Sequence, residues 1–136
     1  MASQKLAVPY ISVINGPLKP GKSFIIRGVV NPTNPYRMEF NFRHRYGIAF
    51  HFNPRFDKNR VVCNTWYGTW GKEEYPAGMP FKAGQPFEVY IYCTDSVYNV
   101  SVNGQQMCNY NHRFMELKNI DVLDVCGDLQ VISVEV

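Results

Sequence analysis

The chain has 136 residues, of which 46% are hydrophobic and 18% are charged. This balance fits one ordinary globular domain and excludes an intrinsically disordered chain. The net charge of +3 is too small to indicate a nucleic-acid partner by itself. Aromatic residues make up 15% of the chain, and such residues favour strands, packed cores and ligand platforms.

Short alternating segments broken by Gly, Pro and Asn follow one another along the chain, and helical periodicity is scarce. Residues 1–8 are expected to be a loose lead-in that could add an edge strand. The predicted strands cover residues 22–30, 37–42, 48–56, 60–65, 87–94, 98–102, 105–110, 121–125 and 129–136. One short helical turn is expected within residues 111–117. Many short strands separated by turn signals predict an all-β sandwich or barrel.

The predicted strand over residues 48–56 carries a polar row. Residues two apart on a strand share a face, so His51, Asn53 and Arg55 lie together, opposite the phenylalanines between them. The aromatic face is expected to pack into the core, which leaves imidazole, amide and guanidinium groups in a row on the other face. Pro54 has no backbone N–H, and this predicts a bulge or a sheet edge at that position.

The following segments add matching groups at the edge of this row. Val62 and Asn64 share a face of the next predicted strand, and Trp70 and Glu73 follow in the loop. Such directed donors and acceptors suit sugar hydroxyls, and an indole ring covers the apolar C–H patch of galactose. Arg55 offers forked donors, so Glu73 is its expected partner. The sequence therefore predicts a carbohydrate-binding site.

Four motifs stand in order along the chain: H-F-N-P-R-F from His51, V-C-N-T from Val62, W-G-K-E-E from Trp70 and M-P-F from Met79. With V-S-V-N-G and N-H-R further on, this order resembles the galectin signature. Each piece alone is weak, but the combination is specific and spans the chain from about residue 8. The resemblance implies a two-sheet antiparallel jelly-roll sandwich of about eleven strands, in a single domain over residues 1–136.

The resemblance also implies a lectin that binds β-galactosides, such as lactose and N-acetyllactosamine, without catalysis, cofactor or metal. The implied carbohydrate-binding residues are His51, Asn53, Arg55, Val62, Asn64, Trp70 and Glu73. In this assignment the first three bond the galactose O4 region, Asn64 and Glu73 reach the O6 hydroxyl, and Trp70 stacks beneath the ring. Glu73 would also bond the second sugar.

Two departures from the family pattern lie beside this site. Tyr75 stands where the family usually has an arginine that helps bind the second sugar, and the loop before Trp70 is one residue short. We therefore expect an altered second-sugar preference. Candidates for an extended subsite are Tyr75 and three residues that share one face of a predicted strand, namely Arg37, Asn41 and Arg43. The alternative for these three residues is an ordinary polar sheet face.

An enzyme, a nucleic-acid module and a protein that acts through protein contacts are the alternative functions. Glu73 and Glu74 are adjacent, whereas glycosidase carboxylates flank a bond from opposite sides, about 5–10 Å apart. A nucleic-acid module would need a basic stripe, which the sequence lacks. The remaining alternative is a galectin-fold protein that acts mainly through protein–protein contacts, with weak or changed sugar binding.

The expected partners are β-galactoside glycans on glycoproteins and glycolipids. A shallow polar site binds weakly, so useful avidity favours a homodimer. Neither nucleic-acid binding nor membrane insertion is expected. The N-terminal residues do not resemble a signal peptide, which predicts a cytoplasmic protein. The resemblance to galectins implies that it also reaches the outside by non-classical secretion. Cys63, Cys93, Cys108 and Cys126 show no zinc-ligand spacing and are expected to stay reduced in the cytosol.

Overall fold

A computed structural model describes residues 5–136. Its strands are β1 (Tyr10–Val13), β2 (Ser23–Val30), β3 (Met38–His44), β4 (Gly47–Arg55), β5 (Arg60–Tyr67), β6 (Pro86–Cys93), β7 (Val97–Val102), β8 (Gln105–Asn111), β9 (Ile120–Gly127) and β10 (Leu129–Glu135). A single 3₁₀ turn at Leu117–Asn119 is the only helical element in residues 5–136. Within these residues, no helix has the length and hydropathy needed to cross a bilayer.

The ten strands form two five-stranded antiparallel sheets. The first sheet has the order β1-β9-β3-β4-β5, and the second has the order β10-β2-β6-β7-β8. The predicted two-sheet antiparallel sandwich is confirmed, with ten strands where about eleven were expected. In the first sheet β4 lies between β3 and β5, so its outward side chains have neighbours on both sides.

Aromatic packing between the sheets sets which side chains face outward. Phe40 and Phe42 on β3 are fully buried, as are Phe50 and Phe52 on β4. Phe50 stacks on Tyr98 of the second sheet, with ring centroids 4.6 Å apart. Burying one phenylalanine stabilises the fold by about 1.5–3 kcal/mol. Because side chains alternate along a strand, this inward row turns Glu39, Asn41, His51, Asn53 and Arg55 to the outer face.

The expectation of a bulge or edge at Pro54 was wrong. β4 is an inner strand, and Pro54 pairs with Val61 of β5 in regular register. The register that joins Phe40 to Phe52 places Pro54 opposite Met38. There the carbonyl oxygen of Met38 accepts a hydrogen bond of 2.7 Å from the side chain of Asn53. A side-chain amide thus donates at the position where proline cannot.

Two local expectations also differ from the structure. The helical turn expected in residues 111–117 lies at Leu117–Asn119 instead, because residue 111 is still part of β8. β1 was not predicted from its own pattern, since only four residues pair with β9. Within the expected lead-in, Leu6 forms an isolated bridge to Val131, and residues 1–4 lie outside the described part of the chain.

Candidate functional site

A groove of about 450 Å³ lies on the outer face of the first sheet. In the β4–β5 register His51 pairs with Asn64 and Asn53 pairs with Val62. This register brings the two predicted polar strands together. The groove is lined by Arg37, Glu39, His51, Asn53, Arg55, Val62, Asn64, Trp70, Gly71 and Glu73. All seven residues predicted for carbohydrate binding are among them.

A buried chain of hydrogen bonds sets the orientation of the His51 ring. Asn41 is fully buried, and its Nδ2 donates to Asp124 of β9 at 2.8 Å. The amide oxygen of Asn41 therefore faces His51 Nδ1, at 2.6 Å. A carbonyl oxygen only accepts, so Nδ1 carries the imidazole proton. In the neutral ring Nε2 then keeps its lone pair, as an acceptor for a hydroxyl donor.

The surroundings of His51 favour this neutral form. Burial lowers its pKa most strongly, and the nearby Arg55 and Arg43 guanidiniums lower it further. The Glu39 carboxylate, 3.7 Å from Nδ1, opposes them and raises the pKa of His51. The net direction is below the usual value of histidine, so the imidazole is an uncharged acceptor at neutral pH.

Asn53 and Arg55 hold one another in place along β4. Asn53 uses its amide nitrogen on the Met38 carbonyl, which leaves its oxygen to accept from Arg55 Nε at 2.8 Å. Arg55 also donates from Nη2 to Glu73 at 3.3 Å. The predicted partnership of Arg55 and Glu73 is confirmed. The guanidinium retains further N–H donors for a ligand, because only two of its nitrogens are engaged.

Asn64 forms hydrogen bonds with three partners, and one of them, Arg113, is distant in the sequence. Its Nδ2 donates to the Gly71 carbonyl at 2.9 Å, and its Oδ1 accepts from Arg113 at 3.0 Å and from the Thr65 backbone at 2.8 Å. Arg113 also binds the Lys72 carbonyl at 2.7 Å. A Cβ added to Gly71 would lie 2.8 Å from Arg113 Nη1, so the guanidinium would have to shift away from its present position. Arg113 therefore links Asn64 to the loop that carries Trp70.

Trp70 forms the exposed wall of the groove. Its side chain is 47% exposed, and its ring centroid lies 4.7 Å from that of His51. The short loop closes tightly, with a bridge between Trp66 and Trp70 and a left-handed Gly68 at φ +75°. Trp66 lines a neighbouring cavity and Tyr67 contacts His44, so neither belongs to the groove lining.

Tyr75 completes an ordered cluster at the Glu73 end. Its hydroxyl donates to Glu73 Oε1, while Arg55 holds Oε2. The hydrogen bond from Tyr75, followed by the charge of Arg55, keeps the pKa of Glu73 below its usual value. The guanidinium of Arg60 lies over the Tyr75 ring, 4.0 Å from its centroid. Tyrosine thus orders the glutamate at the position where an arginine was expected.

The candidates for an extended subsite fall in different places. Arg37 lines the groove and pairs with Asp57 at 3.5 Å. Asn41 lies beneath His51 with its amide fully engaged, and Arg43 pairs with Asp124 and borders a neighbouring cavity. Glu39 also lines the groove. It was not predicted as a site residue, although it alternates along the strand with the same period as Arg37, Asn41 and Arg43.

The thiols lie apart from this groove. Cys63, Cys93, Cys108 and Cys126 are all free. A hydrogen bond with Cys108, followed by burial, raises the pKa of Cys63 well above its usual range, so this thiol is a poor nucleophile. Within residues 5–136, no three His, Cys, Asp or Glu residues are grouped so that they could hold a metal ion.

Similarity to known proteins agrees with this geometry. Residues 9–136 match the model of the galactoside-binding lectin family. The chain belongs to this family. Galectin-3 of Mus musculus is 38% identical over 132 residues, which cover 94% of this chain and 50% of that protein. Galectin-8 of Rattus norvegicus is 39% identical over 135 residues, which cover 93% and 42%. The chain thus spans about half the length of the curated relatives it matches.

Solved structures extend the similarity to the fold. Sheep galectin-11, solved in complex with glycerol, aligns with a TM-score of 0.86 at 30% identity, covering 96% of this chain and 98% of that one. A galectin of Caenorhabditis elegans aligns with a TM-score of 0.84 at 23% identity, covering 96% and 91%, and supports the fold alone. Galectins are carbohydrate-binding lectins and not enzymes.

Proposed function

We propose that this protein binds β-galactosides, such as lactose and N-acetyllactosamine-type glycans, in the groove of the first sheet and releases them unchanged. The observation that carries the proposal is a polar row with its inner atoms already hydrogen-bonded, beside the exposed indole of Trp70. His51, Asn53, Arg55, Val62, Asn64, Trp70 and Glu73 form the proposed binding site.

The chemistry of the row suits the axial O4 hydroxyl of galactose. A hydroxyl that donates to His51 Nε2 can at the same time accept from the Arg55 guanidinium. The equatorial epimer would leave these partly buried groups without a partner, and such a loss discriminates strongly between isomers. Trp70 would cover the apolar C–H patch of the sugar. One shallow site of this kind is expected to bind with a dissociation constant of roughly micromolar to millimolar.

Isothermal titration with lactose and cellobiose tests this proposal, because the two disaccharides differ only at O4 of the first sugar. Lactose should bind and cellobiose should not. Arg55→Ala should abolish lactose binding. The matched control is Arg27→Ala on the second sheet, where the guanidinium also pairs with a glutamate, Glu88, at 2.9 Å. That variant should bind lactose as the parent does.

Equal binding of both disaccharides would contradict the proposal. If neither lactose nor N-acetyllactosamine binds, the alternative takes its place, namely a galectin fold that acts mainly through protein–protein contacts.

We also propose that the chain cross-links glycoconjugates as a homodimer. β1 is an outer strand of the first sheet, and it exposes Ile11 and Val13 at 69% and 75%. An exposed apolar edge strand favours pairing with a second copy. Sedimentation velocity should show a concentration-dependent dimer that Val13→Asp converts to monomer. A parent chain that remains monomeric at the highest concentration tested would contradict this proposal.

For location, we propose a cytoplasmic protein that reaches the outside by non-classical secretion. Four free cysteines support synthesis in a reducing compartment, where structural disulfides are rare. Secretion that continues when the endoplasmic-reticulum route is blocked is the expected result, and secretion that stops with it would contradict the proposal.

A further inference from the structure

We propose that Arg60 forms a cationic subsite at the Glu73 end of the groove, which takes a carboxylate or sulfate carried by the sugar joined to galactose. The inference rests on the proposed galactoside binding, because it concerns the residue that follows galactose in the ligand. Three features of the structure support it: the place of Arg60, the contacts that hold it, and the local balance of charge.

Arg60 lies next to the groove without lining the galactose part of it. In the β4–β5 register it is directly opposite Arg55, and cross-strand neighbours of this kind have Cβ atoms about 4.5–5.5 Å apart. Trp70 and Glu73 both line the groove, and Tyr75 and Arg60 continue outward from Glu73. A disaccharide with its galactose on Trp70 and its second sugar at Glu73 therefore extends toward Arg60.

The guanidinium of Arg60 has a defined position although its side chain is exposed. It lies 4.0 Å from the centroid of the Tyr75 ring, and the Tyr75 hydroxyl is itself bonded to Glu73. Stacking occupies the flat face of the guanidinium and leaves the N–H donors at its edge available. Within residues 5–136, no carboxylate lies within 4 Å of Arg60.

Two of the three arginines at this end have a carboxylate partner. Arg37 lies just before β3, Arg55 ends β4 and Arg60 begins β5, and the three are cross-strand neighbours because Arg55 pairs with the other two. Arg37 has Asp57 as its partner at 3.5 Å, and Arg55 has Glu73 at 3.3 Å. Arg60 is left with an aromatic ring in place of a carboxylate. A planar guanidinium with free donors matches the oxygens of a carboxylate or sulfate in a bidentate geometry.

Two galactosides that differ in one negative charge test whether Arg60 binds an anionic group of the ligand. Lactobionate and lactitol both carry galactose on an opened second residue, but only lactobionate ends in a carboxylate. Isothermal titration should show the parent chain binding lactobionate about twofold to fivefold more tightly than lactitol, which is the range of an exposed ion pair. Arg60→Gln should bind both equally, with unchanged affinity for methyl β-galactoside. Lactose sulfated at the glucose O6, compared with lactose, distinguishes sulfate from carboxylate as the group bound.

The matched control is Arg45→Gln. Arg45 also lies over a tyrosine, with its guanidinium 5.5 Å from the Tyr46 ring, but it borders a different cavity. This variant should keep the anionic preference, which separates a local contact from the loss of one positive charge anywhere on the protein.

The results separate this inference from the proposed function. If lactose fails to bind the parent chain, the proposed function is overturned and the subsite with it. If lactose binds while neither anionic ligand is preferred over its neutral partner, only the subsite is overturned. A preference that survives in Arg60→Gln would also overturn the subsite, because the anion would then be bound elsewhere.

Discussion

The two outer faces of the sandwich carry similar polar residue types, but these side chains are exposed on one face and buried on the other. On the second sheet Arg27 lies between Glu88 and Glu135 at 2.9 Å and 3.1 Å, and all three side chains are more than 40% exposed. On the first sheet a group of polar residues is buried. Asn41, His51, Asn53, Asn64 and Asp124 are all at most 6% exposed.

Burial separates a binding site from an ordinary polar face. An exposed ion pair contributes about 0–1 kcal/mol, and its side chains rearrange at little cost. A buried polar group must keep its partner, because an unsatisfied one costs about 1–3 kcal/mol. The amide of Asn41 therefore has one orientation, and through it the tautomer of His51 is set before any ligand arrives. Within residues 5–136, the buried asparagine, histidine and aspartate side chains all lie on the first sheet.

Removal of the buried carboxylate of Asp124 should produce the largest difference in stability between the two faces. Asp124→Ala leaves Asn41 Nδ2 without its main acceptor and should lower the free energy of unfolding by about 2–4 kcal/mol. Glu88→Ala on the second sheet should lower it by less than about 1 kcal/mol. Urea unfolding of both variants measures the difference. Equal effects would show that burial does not distinguish the two faces.

Trp70→Ala should produce the next largest effect, on binding rather than stability. Loss of the exposed ring should weaken lactose binding by about 1–2 kcal/mol, or roughly tenfold, while the free energy of unfolding changes by less than about 0.5 kcal/mol. Tyr92→Ala, an aromatic residue that is 38% exposed on the second sheet, serves as the control and should leave affinity unchanged. An unchanged affinity in Trp70→Ala would place the sugar elsewhere.

His51 predicts a pH dependence of both stability and binding. Burial lowers its pKa in the folded state, so the unfolded chain takes up this proton first as the pH falls. The stability that comes from neutral His51 is therefore fully present above about pH 6.5 and is lost as the pH drops through the folded pKa. Lactose affinity should fall only as the pH passes through the lower, folded pKa, because the imidazole of the folded chain stays neutral above it and a protonated Nε2 cannot accept a hydroxyl.

Urea unfolding and lactose titration between neutral pH and pH 5 measure both effects. Because His44 is also shifted downward by burial, the variant His51→Gln isolates the share that belongs to the groove. An identical pH profile in that variant would assign the effect to other groups.

Tyr75→Phe should have the smallest effect. It removes the hydroxyl that bonds Glu73, so the pKa of Glu73 should move back toward its usual value while Arg55 still holds the other oxygen. One lost hydrogen bond at an exposed position should change lactose affinity by no more than about threefold. Tyr46→Phe on a neighbouring surface gives the baseline. A loss comparable with that of Trp70→Ala would make Tyr75 a principal contact.

Much of the first sheet follows from the sequence because strands impose a period of two. The alternation of His51, Asn53 and Arg55 with phenylalanines was sufficient to predict both the core face and the polar row. The motifs around Asn64 and Trp70 supplied the second half of the groove. A short edge strand such as β1 offers no comparable pattern, since four residues carry too few alternations to stand out.

The supporting residues were not predicted, because register between distant strands determines them. Asp124 lies opposite Asn41 only through the β3–β9 pairing, 83 positions along the chain. Arg113 reaches Asn64 across 49 positions. No local spacing encodes either contact. The prediction of a bulge or sheet edge at Pro54 was wrong for a related reason. The side chain of Asn53 replaces the missing backbone donor, whereas the alternation of side chains along the strand predicts only a ligand-facing role for Asn53.

Nuclear magnetic resonance with a ¹⁵N-labelled chain tests the central claim most directly, since it follows both outer faces during one lactose titration. The account predicts saturable shifts of the Trp70 indole N–H and of the His51, Asn53 and Asn64 backbone amides, with no shift around Arg27 on the second sheet. Cellobiose should leave all of them unmoved. Shifts confined to the second sheet, or a response to cellobiose equal to that for lactose, would contradict the account.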